Sequence, residues 1–310
     1  DMDENARKHI LGVQANVWTE YIASNEHLEY MILPRLAALS EVQWCSPENK
    51  NWERFLESLS HEAKVYQIMG YNYAKNVFLI IGKATSNPDK KCVEVSLSTQ
   101  GNAPIRYTLD GSKPDHSSPL YSTPLEIRKG CTLNAVVERN DIEIRMFSLN
   151  FIDNKAIGTS VELLTQPIEK YRYGAPGSLV DGIRGGREYS AGEYCGWFGT
   201  PVSLVLDMGG KQSYSSVDLG VLVDKANDIF PPASITVSTS DNGKDFTEAG
   251  HLNIAVPVEA DKDGLEDYTV EFPETSARYI KVDAEILPLP KWHARHDSKS
   301  FIFLDEVVVK

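Results

Sequence analysis

A chain that opens on one βα unit and then turns to strand periodicity for most of its length cannot be a parallel α/β domain by itself. The unit lies in residues 10–44. ILGVQANV is a short, mostly apolar run of strand length, and the segment after Asn25 has helical spacing, with Leu28, Met31 and Ile32 on one stripe. Pro34 restarts the helix, because proline suits a first turn and breaks an interior. Leu36, Leu39, Val42 and Gln43 make the second stripe. A lone parallel strand under a single covering helix cannot bury itself. These residues are therefore expected to be the last piece of a larger parallel structure whose earlier part lies upstream.

The string ANVWTE followed by EYMILPRLAALSEVQW resembles the end of the catalytic barrel of family 20 glycoside hydrolases, the β-N-acetylhexosaminidases. The resemblance covers about the first 45 residues and implies that they close a (β/α)8 barrel. It further implies that Trp18 and Glu20, at the C-terminal end of the last barrel strand, bind substrate in the intact barrel. There Trp18 would line the pocket around a terminal N-acetyl sugar and Glu20 would accept protons from its outer hydroxyls. An indole covers the apolar face of a pyranose, and a carboxylate accepts two hydroxyl protons. The plainer alternative is a core tryptophan and a solvated loop carboxylate. The family's catalytic pair is an adjacent Asp-Glu on an earlier strand. Its Glu is the general acid, and its Asp orients the substrate acetamide that serves as nucleophile. Asp3-Glu4 and Asp305-Glu306 sit in the wrong places for that role. No catalytic residue is expected in this chain, and the pair is expected in an upstream part of the same barrel.

With 310 residues the chain has room for two or three domains. A net charge of −13 argues against nucleic acid or an anionic membrane as partner. The longest apolar run, VFLII at 77–81, is too short to cross a bilayer, so no membrane insertion is expected. Cys45, Cys92, Cys131 and Cys195 form no C-x-x-C pair, which argues against a zinc site. Cys92 and Cys131 fall on strands of one domain, and either a disulfide or two buried thiols is compatible with that.

After Pro47 the pattern predicts a helix of roughly 20 residues, with Trp52, Phe55, Leu56, Leu59, Ala63 and Tyr66 on one face and Gly70 as its stop. Residues 1–75 are expected to form the barrel piece. From Val77 the period is two, as in Val93, Val95, Leu97 and again in Leu133, Ala135, Val137. IRYTLDGSKPDHSSPLY lies between them with a tight Asp-Gly turn. YTLDGSKPDHSSPLYSTPLEI resembles the chitobiase/hexosaminidase C-terminal domain, which implies an immunoglobulin-like β-sandwich over 76–155. Asp110 and Asp115 are read as turn residues rather than metal ligands. IDNKAIGTS reads as a linker.

Residues 156–310 carry only strand and turn signals. SLVDGIRGG, GWFG, the SDNGKDF turn, ARYIKV and the closing LDEVVV resemble discoidin (coagulation factor V/VIII type C) domains, whose fold family 32 carbohydrate-binding modules share. That implies an eight-stranded jelly roll. The fold class is thus mostly β: an immunoglobulin-like β-sandwich plus a discoidin-like jelly roll, preceded by a short helical remnant of a (β/α)8 barrel. In such a jelly roll the two chain ends lie side by side, bringing Asp181 near Glu306. Many relatives hold a calcium ion there, so Asp181 and Glu306 are candidate ligands of a structural Ca²⁺. The alternative is an Asp-Gly turn and a solvated terminal Glu. Trp197 in GWFG is expected in the core. Trp292 and His293, in a Pro-bounded polar loop, are the candidate glycan ligands. His293 and His296 lack a third ligand and read as loop histidines. The expected partners are glycans with terminal N-acetylhexosamine. The expected location, carried by the family and its substrate, is periplasmic, cell-surface or secreted in a bacterium. A second reading makes the discoidin-like domain a glycan-binding module, and a third makes both β-domains mere braces.

Overall fold

The computed structural model describes residues 2–137 and 145–310, and they are mostly β. The chain divides into two compact units. One comprises Asp1–Ile81, Ser98–Arg106 and Val136–Phe147, the other Gly82–Leu97, Tyr107–Ala135 and Ser148–Lys310.

The first unit is helical: α1 (Glu4–Arg7), α2 (Asn25–Ile32), α3 (Arg35–Trp44) and α4 (Trp52–Met69). The strand expected over ILGVQANV does not form. Residues 10–19 have no regular structure, and Leu11, Val13, Val17 and Trp18 are exposed. A strand needs a hydrogen-bonded neighbour, and none lies beside this one among the described residues. The helices form as the spacing predicts, each for a local reason. Ser24 caps α2 by accepting from the His27 amide, and Pro34 stands at the N-cap of α3. Asn51 caps α4 by accepting from the Arg54 amide, and Gly70 ends it in the left-handed region at φ 75°. Leu33, Leu59, Ala63, Tyr66, Tyr73 and Phe78 form the small core of this unit. Of the predicted α4 face, Trp52 remains half exposed at 52%.

Strands β1 (Ile81–Asn87), β2 (Cys92–Ser98), β3 (Ile105–Thr108), β4 (Leu125–Ile127), β5 (Cys131–Val137) and β6 (Phe147–Phe151) make two three-stranded sheets, ordered β1-β2-β4 and β3-β5-β6. Cys92 and Cys131 stand on different sheets, and all four cysteines are free thiols. Asp110 and Asp115 are turn residues. Each accepts from the backbone amide and hydroxyl of the serine two positions on.

The jelly roll contains β7 (Ser160–Leu163), β8 (Cys195–Phe198), β9 (Val202–Val223), β10 (Ser234–Ser240), β11 (Thr247–Asn253), β12 (Gly264–Glu285) and β13 (Phe301–Val309). The order is β11-β10-β12-β9-β13-β8, with β7 also paired to β9. VSLVLDMG and YSSVDLGVLV, which read as two strands, are one continuous β9; YTVEF and ARYIKVDA are likewise joined in β12. The break lies in register rather than in chain direction. Residues 208–211 of β9 stand opposite the single Arg278 of β12, a bulge that lets both strands bend and pack on both sides of one core. That core includes Leu204, Leu206, Leu219, Val237, Ile280 and Leu304. Trp197, expected there, is fully buried and donates from Nε1 to the Thr165 carbonyl at 3.1 Å.

The segment IDNKAIGTS is not a linker. Ala156 and Ile157 are buried, and the Gly158 amide donates to Val180. A Cβ at Gly158 would overlap the Cys92 backbone. Polar composition suggested a linker, but the Asn154 amide makes the run part of the jelly-roll core.

Candidate functional site

The two ends of the jelly roll meet around Asn154. Its Nδ2 donates to Glu306 Oε1 at 2.7 Å and to the Val307 carbonyl at 2.9 Å, and its Oδ1 accepts from the Ala156 and Val309 amides. Glu306 is wholly buried on β13. Its Oε1 also accepts from the Gly182 amide at 3.0 Å, one residue beyond Asp181. Its Oε2 has no hydrogen-bond partner among the described residues. Burial, and then the charge of Asp181, raises the Glu306 carboxyl well above its ordinary value. Burial likewise pushes Asp181 up to about 7, against a hydrogen bond from the Ile183 amide. The structure thus brings Asp181 and Glu306 together.

Next to them, Asp305 is buried and neutralised. Its Oδ2 accepts from Arg184 Nε at 2.7 Å and from the Gly185 amide at 2.8 Å. Arg184 Nη2 pairs in turn with Asp267 at 2.7 Å. Gly220 makes room, since a Cβ there would overlap Asp305 Oδ1. Glu306, by contrast, has no cation of the protein beside it among the described residues. A buried carboxyl with an unpartnered oxygen beside the half-buried Asp181 fits a hard cation, which takes six to eight oxygen ligands. Sequence reasoning found Asp181 and Glu306 through resemblance but missed Asn154 and Arg184, because neither lies in a recognisable spacing.

A second acidic group, Cys92, Glu94 and Glu126, is close enough to share an ion. Lys90 Nζ already sits 2.7 Å from Glu94 Oε1 and 3.2 Å from Glu126 Oε1, and Arg128 Nη2 is 2.7 Å from Glu126. Its charge is met by the protein.

The Trp292 loop is not an open platform. Trp292 is partly buried against Phe230 and donates from Nε1 to the Pro257 carbonyl at 3.0 Å. His293 is only 8% exposed, with Nε2 2.8 Å from the Lys225 carbonyl. Both side chains anchor their loop. His296 Nδ1 lies 3.2 Å from the His293 carbonyl. At the other end of the chain, Trp18 is 75% exposed and Glu20 is exposed with no ion-pair or hydrogen-bond partner among the described residues.

One open cleft in the second unit has a volume of about 610 Å³. It is lined by residues 82–86 of β1, by Leu149, and by loop residues that include Tyr173, Asp181, Arg184 and Glu193. No sequence motif marked it, because its walls come from segments far apart in the chain.

Comparison with known proteins bears on both ends of this arrangement. Residues 1–47 match the model of the glycosyl hydrolase family 20 catalytic domain. Residues 94–148 match the Fn3-associated family. A β-hexosaminidase of Porphyromonas gingivalis is 28% identical over 129 residues, 41% of this chain and 16% of that protein. A β-N-acetylhexosaminidase of Cellulomonas fimi is 36% identical over 64 residues, 21% of this chain and 13% of that protein. The matched stretches are thus under one fifth of either relative's length. Among solved structures, the C-terminal domain of a chitobiase from Bacteroides fragilis is similar at 15% identity and a TM-score of 0.31, covering 48% of this chain and 92% of that one. The stretch that matches the family 20 model precedes the β-rich part of the chain.

Proposed function

We propose that the chain is the C-terminal part of a β-N-acetylhexosaminidase that removes terminal N-acetylhexosamine residues by substrate-assisted, retaining catalysis. The observation that carries this reading is the family 20 match over residues 1–47, which contain the W-x-E string. In the intact barrel Trp18 stacks on the sugar and Glu20 binds its outer hydroxyls. Their exposure supports this, since both are left available to a partner surface. The catalytic Asp-Glu comes from elsewhere in the barrel. Asp3 accepts from the Ala6 amide as the cap of α1, and Asp305 and Glu306 are buried in the jelly roll. The enzyme works on glycans outside the bacterial cytoplasm, in the periplasm, on the cell surface or secreted. The sandwich (76–155) and jelly roll (156–310) act as accessory domains. Asp181 and Glu306 hold a structural Ca²⁺, which neutralises the buried Glu306 carboxylate and its half-buried neighbour.

The test is kinetic, on the intact enzyme with an aryl β-N-acetylglucosaminide. Trp18→Ala and Glu20→Ala should each lower kcat/KM by on the order of 2–4 kcal/mol in transition-state binding. Unchanged kinetics in both variants would refute the pocket assignment. The present chain by itself should show no turnover, and turnover that copurifies with it would refute the placement of the catalytic pair. A second reading, glycan binding by the accessory domains, is favoured by the cleft around Tyr173.

A further inference from the structure

We infer that this cleft holds a neutral oligosaccharide, with Tyr173 as its stacking wall and Lys83, Thr85 and Glu193 as orienting polar groups. The inference rests on the glycan-binding reading and gives it a place other than the Trp292 loop. The volume of about 610 Å³ falls within the range of small-molecule sites, which is roughly 300–1,000 Å³. Such sites join apolar or aromatic walls to a few placed polar groups. Here the wall is the Tyr173 ring, 58% exposed. Its backbone is held by Ser178, whose hydroxyl donates to the Tyr173 carbonyl at 2.7 Å. Its ring edge lies against Gly192, where a Cβ would come within 3.2 Å. A held aromatic ring that stays exposed loses little freedom when a pyranose stacks on it.

Charge selects the ligand class. Arg184 lines the cleft, but Asp267 and Asp305 already neutralise it. Lys83 and Glu193 are both exposed and opposite in sign. No net positive field remains to hold a phosphate or carboxylate. What remains is an aromatic face with hydroxyl, ammonium and carboxylate groups, which suits a polyhydroxylated neutral ring. Residues 82–86 and 173–193 both contribute, so the site needs β1 as well as the jelly roll.

The test titrates the full chain with N,N′-diacetylchitobiose and N,N′,N″-triacetylchitotriose, followed by NMR shifts and calorimetry. Kd should lie around 0.1–10 mM, as expected when one or two rings are covered. Tyr173→Ala should raise Kd at least tenfold, and Thr85→Trp, which fills the cleft, should abolish binding. Trp292→Ala should leave Kd within twofold. Circular dichroism and Tm confirm that each variant is folded. Wild-type affinity in folded Tyr173→Ala and Thr85→Trp would overturn the cleft while leaving the glycan reading intact. Flat titrations of the wild type would overturn both. Tighter binding of 3′-sialyllactose than of the neutral sugars, lost in Tyr173→Ala, would overturn the neutral class.

Discussion

Asn154 satisfies four polar atoms with one side chain, all of them at the buried meeting point of the jelly-roll ends. Truncation would leave a carboxylate oxygen, a carbonyl and two amides short of partners. Each buried unsatisfied group costs roughly 1–3 kcal/mol, and partial relaxation reduces the sum. Asn154→Ala should therefore destabilise the fold by about 2–4 kcal/mol in urea denaturation; a change under about 0.5 kcal/mol would show that the network is dispensable. A gentler case lies at the surface. Asp207 accepts from Arg278 Nε and Nη2, both at 2.9 Å, and Arg278, with the Gly209 amide, holds its carboxyl below the ordinary 3.8. A depressed folded value contributes stability above the unfolded value, and that stability is lost as pH falls through the folded one. Both side chains are partly solvated, so the contribution is on the order of 0.5–1 kcal/mol. Asp207→Asn should cost that much at pH 7, and the difference from wild type should shrink in acid, as pH falls through the lowered folded value. An equal cost at pH 7 and in acid would point to packing instead.

Among the elements, α4 is the one whose ends are specified by single residues. Asn51 accepts from the Arg54 amide at 2.9 Å, and Gly70 adopts a left-handed φ of 75°. Asn51→Ala should cost about 1 kcal/mol, and Gly70→Ala a similar amount because of the Cβ in that region. Thermal melts of the two variants check this. A neutral Gly70→Ala would mean that the helix end shifts rather than strains. The β9–β12 pair shows the opposite case, in which no single residue sets the element. Its length comes from pairing on both sides, and the bulge at 208–211 from the bend the core demands.

For the whole molecule the Asp181–Glu306 pair makes the clearest prediction. If a calcium ion binds the folded jelly roll there, stability rises by RT ln(1 + [L]/Kd), about 2.7 kcal/mol at a hundredfold excess over Kd. Chelator should lower the Tm of the full chain and Ca²⁺ should restore it. Glu306→Gln, which keeps an oxygen for Asn154 and the Gly182 amide but removes the charge, should lose the response. Equal Tm with and without chelator would refute the ion. No helix of the described residues is long and apolar enough to cross a membrane.

Sequence by itself determined what local physics controls. The helices after Asn25 and after Pro47, the Gly70 stop, the Asp110 and Asp115 turns and the strand-rich later chain all follow from spacing and from short-range hydrogen bonds, whereas the burial of Trp197 was expected only through the discoidin resemblance and rests on the distant Thr165 carbonyl. The W-x-E string was legible for the same reason, as a motif within a few residues. Tertiary structure decided whatever needed partners distant in the chain. ILGVQANV has strand composition but no neighbour to pair with among the described residues. IDNKAIGTS has linker composition, yet Asn154 reaches residues 306–309 and becomes core. Trp292 reads as exposed until Phe230 and Pro257 close around it. The cleft at Tyr173 exists because residues 82–86 fold beside 173–193. Burial and long-range pairing are properties of the packed chain, so no window of sequence could have carried them.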